Sequence, residues 1–163
     1  MTSSLKEIDF AEMGRTCLGH AARRTANLLT RHYNRHMAAL GLELTQAQLL
    51  AVIADGTAPS ASAIARYLGI DRSTLARNLK PLEAAGLIRR RETAGRTVLP
   101  ELTPAGERKV IEIHQAWRKA QEELDALLGT EGASAVRAHM SALRKAVHIL
   151  EDTEAKTNAA SSD

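Results

Sequence analysis

The chain has 163 residues, a formal net charge of +3, one cysteine and 2% aromatic residues. One cysteine excludes an internal disulfide framework. Residues 1–25 contain no signal-peptide stretch, and no apolar run is long enough for a membrane span. The hydrophobic 44% consists mainly of alanine and leucine, which favours helices over a β-sandwich. We therefore expect a soluble, mainly α-helical, cytoplasmic protein.

The N-terminal part is predicted to be one long helix over residues 10–40, ended by Gly41 as a glycine cap. A shorter helix is predicted to start at a cap on Thr45 and to stop at Asp55-Gly56. The long helix is indicated by apolar residues at steps of three and four. These residues are Leu18, Ala21, Ala22, Ala26, Leu29, Tyr33, Met37 and Leu40.

Two short helices separated by a tight turn are predicted in the middle of the chain. Ser60 or Ser62 opens the first one, Gly69 ends it, and Asp71 is a good N-cap for the second. The second helix is expected over residues 72–85, with Gly86 after its end. Its apolar stripe consists of Leu75, Leu79 and Leu82.

Proline inside this second helix is unusual. Pro81 removes one backbone donor and crowds the preceding turn, so we expect a kink or a loosening near Arg77.

A small β-hairpin is predicted next, with strands over residues 87–91 and 96–102 and a turn supplied by Gly95. Pro100 makes the second strand an edge strand. Thr103-Pro104 then predicts a helix start, with threonine as the N-cap and proline at the first helical position.

The last two predicted helices carry heptad-like apolar seams, and Gly129 and Gly132 mark the break between them. Seams of this size exceed what one small domain covers, and exposed apolar stripes mark an interface, so a dimer is expected. The seams are Val110, Ile113, Trp117, Ala120, Leu124 and Leu127, and then Val136, Met140, Leu143, Val147 and Leu150.

Basic side chains are concentrated in one segment. Residues 66–96 carry eight basic and three acidic side chains, a net charge of +5, so the rest of the chain sums to −2. A basic segment of this kind is typical of a surface that meets phosphates. Together with the order helix, turn, helix, hairpin, it predicts a winged helix-turn-helix that binds double-stranded DNA.

The second helix of such a motif enters the major groove. Arginine pairs with guanine, asparagine reads adenine, and the hydroxyls of Ser73 and Thr74 are expected to donate to phosphate or base. Arg96, at the hairpin tip, is expected to reach an adjacent minor groove. The predicted DNA-binding residues are Arg72, Ser73, Thr74, Arg77, Asn78, Lys80, Arg90, Arg91 and Arg96.

The run SASAIARYLGIDRSTLARNLKPLEAAGLIRR, then a hairpin, then LTPAG before a long helix, resembles the MarR family of bacterial transcriptional regulators. The resemblance covers roughly residues 15–110. It implies a homodimer held by N- and C-terminal helices, which represses from a palindromic operator until a small ligand binds. The wing departs from the family pattern, because its turn ETAGRT lacks the usual aspartate and Pro100 replaces a residue with an amide.

The expected organisation follows from this resemblance and from the predicted elements. Residues 1–40 form an N-terminal dimerisation helix, 41–102 the DNA-binding winged helix-turn-helix, 103–153 the C-terminal dimerisation helices, and 154–163 a disordered tail.

The resemblance also implies a ligand pocket where the dimerisation helices meet the winged helix. An aromatic or anionic effector is expected, bound by aromatic rings and by arginines that pair a carboxylate. The predicted ligand-binding residues are Tyr33, Tyr67 and Trp117 together with Arg23, Arg24 and Arg31.

Two alternatives to a ligand-controlled repressor stay open at this point. Cys17 suggests a thiol-based redox regulator, which needs an electropositive neighbour such as Arg15 or His20, although a lone helical cysteine is more often a small hydrophobe. The second alternative is a helical interaction protein whose basic segment binds an acidic partner instead of DNA.

Metal binding and catalysis find little support in the sequence. His32 and His36 lie one helical turn apart but lack further ligands at a suitable spacing, so we expect solvated histidines and no metal site. Phosphate-binding glycine loops, nucleophile elbows and paired cysteines are missing from the sequence, so neither an enzyme nor a cofactor is predicted.

Overall fold

The structure, a computed structural model, describes residues 9–58, 60–92 and 98–160. The chain forms two compact units, Met1–Ala120 and Gln121–Asp163. The elements are α1 Phe10–Thr16, α2 Leu18–Met37, a 3-10 turn Ala38–Leu40, α3 Leu44–Asp55, α4 Ala61–Leu68, α5 Arg72–Ala84, β1 Ile88–Glu92, β2 Val98–Leu102 and α6 Pro104–Ala160.

Within residues 9–58, 60–92 and 98–160, no single helix is long and apolar enough to cross a bilayer. One helix pair bent by 75°, Leu18–Leu40 with Leu44–Asp55, reaches that length and apolar composition when its two helices are taken together.

The predicted helix over residues 10–40 is interrupted at Cys17, so a single N-terminal helix was wrong. Cys17 has an extended backbone, with φ −69° and ψ 108°, and separates α1 from α2. The apolar periodicity that indicated the helix begins only at Leu18, and it therefore carried no information about the residues before the break. At the other end Gly41 has φ +68°, which confirms the predicted glycine cap.

Helices α3, α4 and α5 pack around one apolar core together with the base of the hairpin. Helix α3 begins at Leu44, one residue before the predicted cap at Thr45, because the Glu43 amide donates to Gln46 Oε1 at 2.9 Å. The core is formed by apolar side chains that recur at helical spacing along each helix. The buried members of this core include Met37, Leu49, Leu50, Ile64, Leu75, Leu82, Leu87 and Ile88.

The helix-turn-helix pair is capped as predicted. Ser60 Oγ accepts from the Ala63 amide at 3.1 Å at the start of α4, and Gly69 ends that helix with φ +65°. Helix α5 continues past Pro81 to Ala84, so the predicted loosening is not seen. Leu82 follows the proline and is buried in the core, and this packing outweighs the lost backbone hydrogen bond.

The hairpin is antiparallel, with register pairs running from Ile88↔Leu102 to Glu92↔Val98. It therefore confirms the predicted wing, although β1 starts one residue later than expected. The predicted turn residue Gly95 and the predicted minor-groove residue Arg96 lie outside the described residues.

The segment LTPAG ties the wing to the start of α6. Thr103 caps that helix, since its Oγ1 accepts from the Gly106 amide at 3.1 Å and donates to the Gly86 carbonyl at 2.6 Å. A Cβ on Gly106 would lie 2.0 Å from the Leu87 carbonyl oxygen, so only glycine fits this approach. The predicted N-cap at Thr103 and the helix start at Pro104 are confirmed.

The unit Gln121–Asp163 is helical over its described residues, with one break. Gly129 is non-helical (φ 67°, ψ 166°), which confirms the predicted break there, whereas Gly132 is inside helix. The helix continues to Ala160, so the tail predicted as disordered from residue 154 is helical up to that point. Its sequence EAKTNAA is rich in good helix formers, which the expectation of a frayed end undervalued.

Candidate DNA-binding interface and ligand cavity

The start of α5 is organised by the Asp71 carboxylate. Asp71 Oδ1 accepts from the Thr74 amide at 2.7 Å and from Ser73 Oγ at 2.5 Å, and Oδ2 accepts from Thr74 Oγ1 at 2.7 Å. These hydrogen bonds, with that from the Ser73 hydroxyl as the largest contribution, hold the pKa of Asp71 well below its ordinary value. The carboxylate is therefore ionised throughout the physiological pH range.

The two hydroxyls at this end of α5 have a fixed polarity. A hydroxyl carries one proton and two acceptor lone pairs. Because Ser73 and Thr74 both give that proton to Asp71, their oxygens can only accept further hydrogen bonds. The expectation that they donate to phosphate or base does not fit this geometry, since phosphate oxygens accept only.

The exposed face of α5 presents three cations. Leu75 and Leu82 are buried on the inner face, and the opposite face carries exposed residues, as the helical spacing predicted. Its arginines and lysine form no ion pair or hydrogen bond with the described parts of the chain. This outer stripe consists of Arg72, Ser73, Ala76, Arg77 and Lys80.

Asn78 lies beside this stripe and is half-buried. Its Nδ2 donates to the Thr74 carbonyl at 2.9 Å, so one of its two amide protons is engaged within the helix. Adenine reading by Asn78 stays a prediction.

The three arginines of β1 all have acidic partners. Arg90 contacts Glu83 through Nε at 2.6 Å and Nη2 at 3.3 Å, and this hydrogen-bonded carboxylate raises the pKa of the guanidinium. On the other face of β1, Arg89 Nε lies 3.1 Å and Arg91 Nε 3.8 Å from Glu101 Oε2. The predicted phosphate contacts of Arg90 and Arg91 are untested by this geometry, but both residues start from an ion pair.

A cavity of about 610 Å³ lies between α2, α3 and the first turns of α6. Its polar groups are Thr30, Tyr33, Thr45, Gln48 and His114, and none of the described residues that line it is an Arg, Lys, Asp or Glu. The apolar lining is given by Ala26, Leu29, Met37, Leu44, Ala47, Ala51, Val110, Ile113 and Trp117.

The structure brings together only two of the six predicted ligand-binding residues. Tyr33 and Trp117 line the cavity, but Tyr67 on α4 is 76% exposed and does not. The predicted arginines lie along a separate shallow groove on α2, so they do not face the two aromatic rings. That groove is lined by His20, Arg23, Arg24, Asn27, Leu28 and Arg31.

Residues that complete the cavity were missed, although a sequence signal existed. His114 lies one residue beyond Ile113 in the predicted seam of the C-terminal helix, and Gln48 lies in the segment GLELTQAQ. Periodicity identifies the apolar face of each helix but not the polar residues at the edge of that face.

Cys17 is exposed and caps α2, with Sγ accepting from the His20 amide at 3.4 Å. Of the two expected electropositive neighbours, Arg15 pairs with Asp9 at 3.8 Å, and His20 contacts the thiol through its backbone amide. A redox role of Cys17 stays a prediction.

His32 and His36 are half-buried, so the expectation of solvated histidines was wrong. His32 Nε2 lies 2.9 Å from the Ala120 carbonyl oxygen, and Arg35 Nη2 lies 3.1 Å from His32 Nδ1. Since arginine can only donate, Nδ1 accepts and Nε2 carries the proton. The rings of His32 and His36 are 5.2 Å apart in an edge contact.

Comparison with known proteins identifies the family. The sequence profile of the MarR family matches residues 40–96. The crystal structure of the M. tuberculosis transcriptional regulator MosR in complex with DNA is 31% identical, with a TM-score of 0.72, and the alignment covers 82% of this chain and 97% of that one. A comparison with curated protein sequences gave no match.

Two more distant structures share the fold. The transcriptional repressor CouR bound to p-coumaroyl-CoA is 22% identical, with a TM-score of 0.72, covering 85% of this chain and 98% of CouR. A mutant of E. coli MarR complexed with operator DNA is 20% identical, with a TM-score of 0.72 and coverage of 80% and 96%. The family profile and the 31% identical MosR structure, together with the winged helix-turn-helix and its flanking helices, show that the chain belongs to the MarR family of DNA-binding transcriptional regulators, which act as dimers.

Proposed function

We propose that this regulator is a repressor that binds a palindromic operator as a homodimer and leaves it when a small aromatic ligand fills the cavity. The observation that carries the ligand part is the 610 Å³ cavity, a volume typical of small-molecule sites. The proposal includes a cytoplasmic location, because a bacterial regulator binds the chromosome and the bacterial chromosome lies in the cytoplasm.

The dimer is supported by unpaired apolar side chains at both ends of the chain. In the first unit, Phe10, Met13 and Leu18 are each more than half exposed. In the second unit, Val136 and Met140 and then Val147 and Leu150 repeat at heptad-like spacing and are also exposed. A two-fold dimer presents two copies of α5 to half-sites one DNA turn, about 34 Å, apart.

Base reading is assigned to the free cations of α5. Arg77 is exposed in the middle of the outer stripe, and arginine pairs bidentately with guanine in the major groove. Arg72 lies five residues before Arg77 and Lys80 three residues after it, where phosphates flank the groove. The MosR and MarR complexes named above contain DNA, which supports this use of the fold.

Helix α3 connects the cavity with the DNA-binding surface. Ala47, Gln48 and Ala51 line the cavity. Leu49 and Leu50 of the same helix belong to the core in which α3 contacts α5. A ligand that displaces α3 therefore moves the base of the recognition helix, and a shift of a few ångströms mismatches two half-sites whose spacing is fixed.

The lining favours an uncharged aromatic ligand over an anionic one. A carboxylate buried in this cavity would lack an arginine or lysine partner, and an unpaired buried charge is costly. Tyr33 and Trp117 offer ring faces, and Gln48 and His114 offer hydrogen bonds that fix an orientation. The aromatic acyl group of the CouR ligand belongs to the chemical class that such a lining accepts.

The test is linkage between ligand and operator. Neutral aromatics and the matching carboxylates are titrated against the protein with and without a duplex selected from a random pool, following fluorescence anisotropy and thermal unfolding. A true effector that weakens operator binding 100-fold must itself bind about 100-fold more weakly to the DNA complex, a coupling of about 2.7 kcal/mol. A ligand that binds both forms equally is not an effector.

A cavity-filling variant separates this site from others. Ala51→Trp on α3 fills the cavity and should abolish the ligand response, while Ala54→Trp on the same helix lies outside the cavity and should keep it. Ligand release that survives in Ala51→Trp would place the effector elsewhere.

The redox alternative has its own signature. A redox regulator would lose DNA on peroxide treatment, and Cys17→Ser would prevent that loss. The other alternative, a helical interaction protein whose basic segment binds an acidic partner instead of DNA, was wrong, because the chain belongs to a family of DNA-binding regulators.

A further inference from the structure

The ion pair between Glu83 and Arg90 joins the recognition helix to the wing. Glu83 lies in the last part of α5, and Arg90 is the third residue of β1. The guanidinium contacts both carboxylate oxygens, Nε to Oε1 at 2.6 Å and Nη2 to Oε2 at 3.3 Å. Two-point contacts of this kind fix an orientation as well as a distance.

The base of the hairpin is held by other means. Ile88 is buried, its register partner Leu102 packs against the core, and the Thr103 amide donates to the Leu87 carbonyl at 3.0 Å. Side chains alternate along a strand, so Arg90 follows Ile88 on the same inner face. Its register partner is Pro100, which offers no amide to the hairpin ladder. At this pair of residues, the side chain of Arg90 links the hairpin to α5 through Glu83.

Glu101 provides a contrast within the same hairpin. It pairs with Arg89 and Arg91 across the outer face, and these contacts join β2 to β1 without reaching α5. Glu83 and Glu101 are therefore two carboxylates of one DNA-binding module, both paired with arginines of β1. The Glu83 pair joins the wing to α5, whereas the Glu101 pairs stay within the wing.

We propose that Glu83 and Arg90 are positioning residues, which set the direction of the wing relative to α5 so that both elements meet one operator half-site. The inference rests on the DNA-binding role of the winged helix, and it assigns Arg90 to this link instead of to a phosphate. Operator recognition needs two elements at once, so an error in their relative direction costs specific binding more than random binding.

The proposal makes a prediction of unusual sign. A carboxylate near DNA repels phosphates, so removing one normally raises the affinity of the protein for any duplex. Glu101→Gln should follow this rule, with operator affinity unchanged or higher. Glu83→Gln should instead lower operator affinity about tenfold and leave the affinity for random duplex equal or higher.

The experiment measures fluorescence anisotropy of the full chain with a duplex selected by the wild-type protein from a random pool, and with a scrambled duplex, at several salt concentrations. Arg90→Gln should lower operator affinity about as much as Glu83→Gln, without changing the slope of log affinity against log salt, because no phosphate contact is lost. Lys80→Gln, which removes an unpaired cation of α5, should reduce that slope by about 0.9. The exchange Glu83→Arg with Arg90→Glu should recover most of the operator affinity.

Each of these measurements can support or overturn the proposal. A Glu83→Gln variant that binds the operator as well as or better than the wild type overturns the proposal, as does an Arg90→Gln variant whose salt slope falls like that of Lys80→Gln. Thermal unfolding of each variant checks folding, and the exchange variant keeps the test decisive if single variants are unstable. A wild-type protein that enriches no duplex would refute the proposed function itself, before any variant is made.

Discussion

Helix α5 and strand β1 each expose three cations, but the two sets differ in what already binds them. Arg72, Arg77 and Lys80 on α5 have no ion-pair partner among the described residues. On β1, Arg89 and Arg91 share Glu101, and Arg90 is held by Glu83. The two elements therefore carry the same number of cations, but those of α5 are free to bind DNA and those of β1 already have carboxylate partners.

The difference matters because DNA must compete with existing partners on the wing. A cation without a partner gains a phosphate or a base edge and loses only water and counterions. A paired arginine has to give up its contact with a carboxylate, which then keeps one partner fewer next to a polyanion. The free set is therefore suited to reading DNA, whereas an arginine of the paired set gains less from a phosphate.

Arg77→Ala is expected to have the largest effect of the predictions made from this comparison. Loss of a bidentate contact with guanine should cost about 1–3 kcal/mol on the selected duplex and relax the preference at one base pair. Arg89→Ala is the matched control, since it removes an exposed arginine that is already paired, and it should change affinity much less. Equal losses on the selected and scrambled duplexes for Arg77→Ala would contradict base reading.

Asp71→Asn tests the acidic group at the start of the free face. An amide keeps one acceptor oxygen but cannot accept from both hydroxyls and the Thr74 amide as the carboxylate does, so the unfolding midpoint should fall by a few degrees.

The pH dependence of this effect has a definite sign. The pKa of Asp71 is lowered in the folded protein, so its contribution is fully present above the ordinary pKa of a carboxyl and is lost as pH falls through the lower, folded value. The difference in midpoint between wild type and Asp71→Asn should be constant from pH 5 to 8 and shrink only in strong acid. A difference that vanishes between pH 6 and 5 would contradict the lowered pKa.

Ser73→Ala should have a smaller effect: the free energy of binding to the selected duplex should weaken by about 1 kcal/mol, which is typical of one hydrogen bond. Because the Ser73 proton is given to Asp71, its oxygen can accept only from amino groups, adenine N6 or cytosine N4. Selection from a random pool should show a weakened preference for such a base at one position. A uniform loss on all duplexes would indicate a phosphate contact instead.

The sequence predicted most of the winged helix, for physical reasons that are local. Ser60, Asp71, Gly69 and Gly41 act within one turn of the residues they cap, and the LTPAG segment carries its own N-cap. The break at Cys17 was missed because cysteine is not a typical N-cap residue, although its Sγ accepts from the His20 amide. The sequence therefore predicts helix ends where a common capping residue marks them, and misses an end that an unusual residue caps.

The candidate site was predicted less completely, since partners far apart in sequence decide it. The outer stripe of α5 followed from helical spacing alone. The pairing of Arg90 with Glu83 depends on the path of the chain through Gly86, and the separation of the α2 arginines from Tyr33 depends on which face of that helix the cavity takes. Charge and residue type are readable from sequence, but the partner that neutralises a charge is set by the fold.

The smallest expected effect comes from comparing Arg91→Ala with Lys80→Ala in the salt dependence of binding to a scrambled duplex. Both side chains are exposed, and each is expected to contact one phosphate, but Arg91 starts 3.8 Å from the Glu101 carboxylate and Lys80 starts without a partner. When Arg91 moves to DNA, Glu101 keeps only Arg89 and attracts cations from solution more strongly than before, which cancels part of the counterion release. Lys80→Ala should therefore reduce the salt slope by about 0.9, and Arg91→Ala by clearly less. In a Glu101→Gln background no such cation is taken up, so the effect of Arg91→Ala should rise towards that of Lys80→Ala. Equal reductions of the salt slope in Arg91→Ala and Lys80→Ala, both made without the Glu101 change, would mean that the ion pairs of the wing do not affect its binding to DNA.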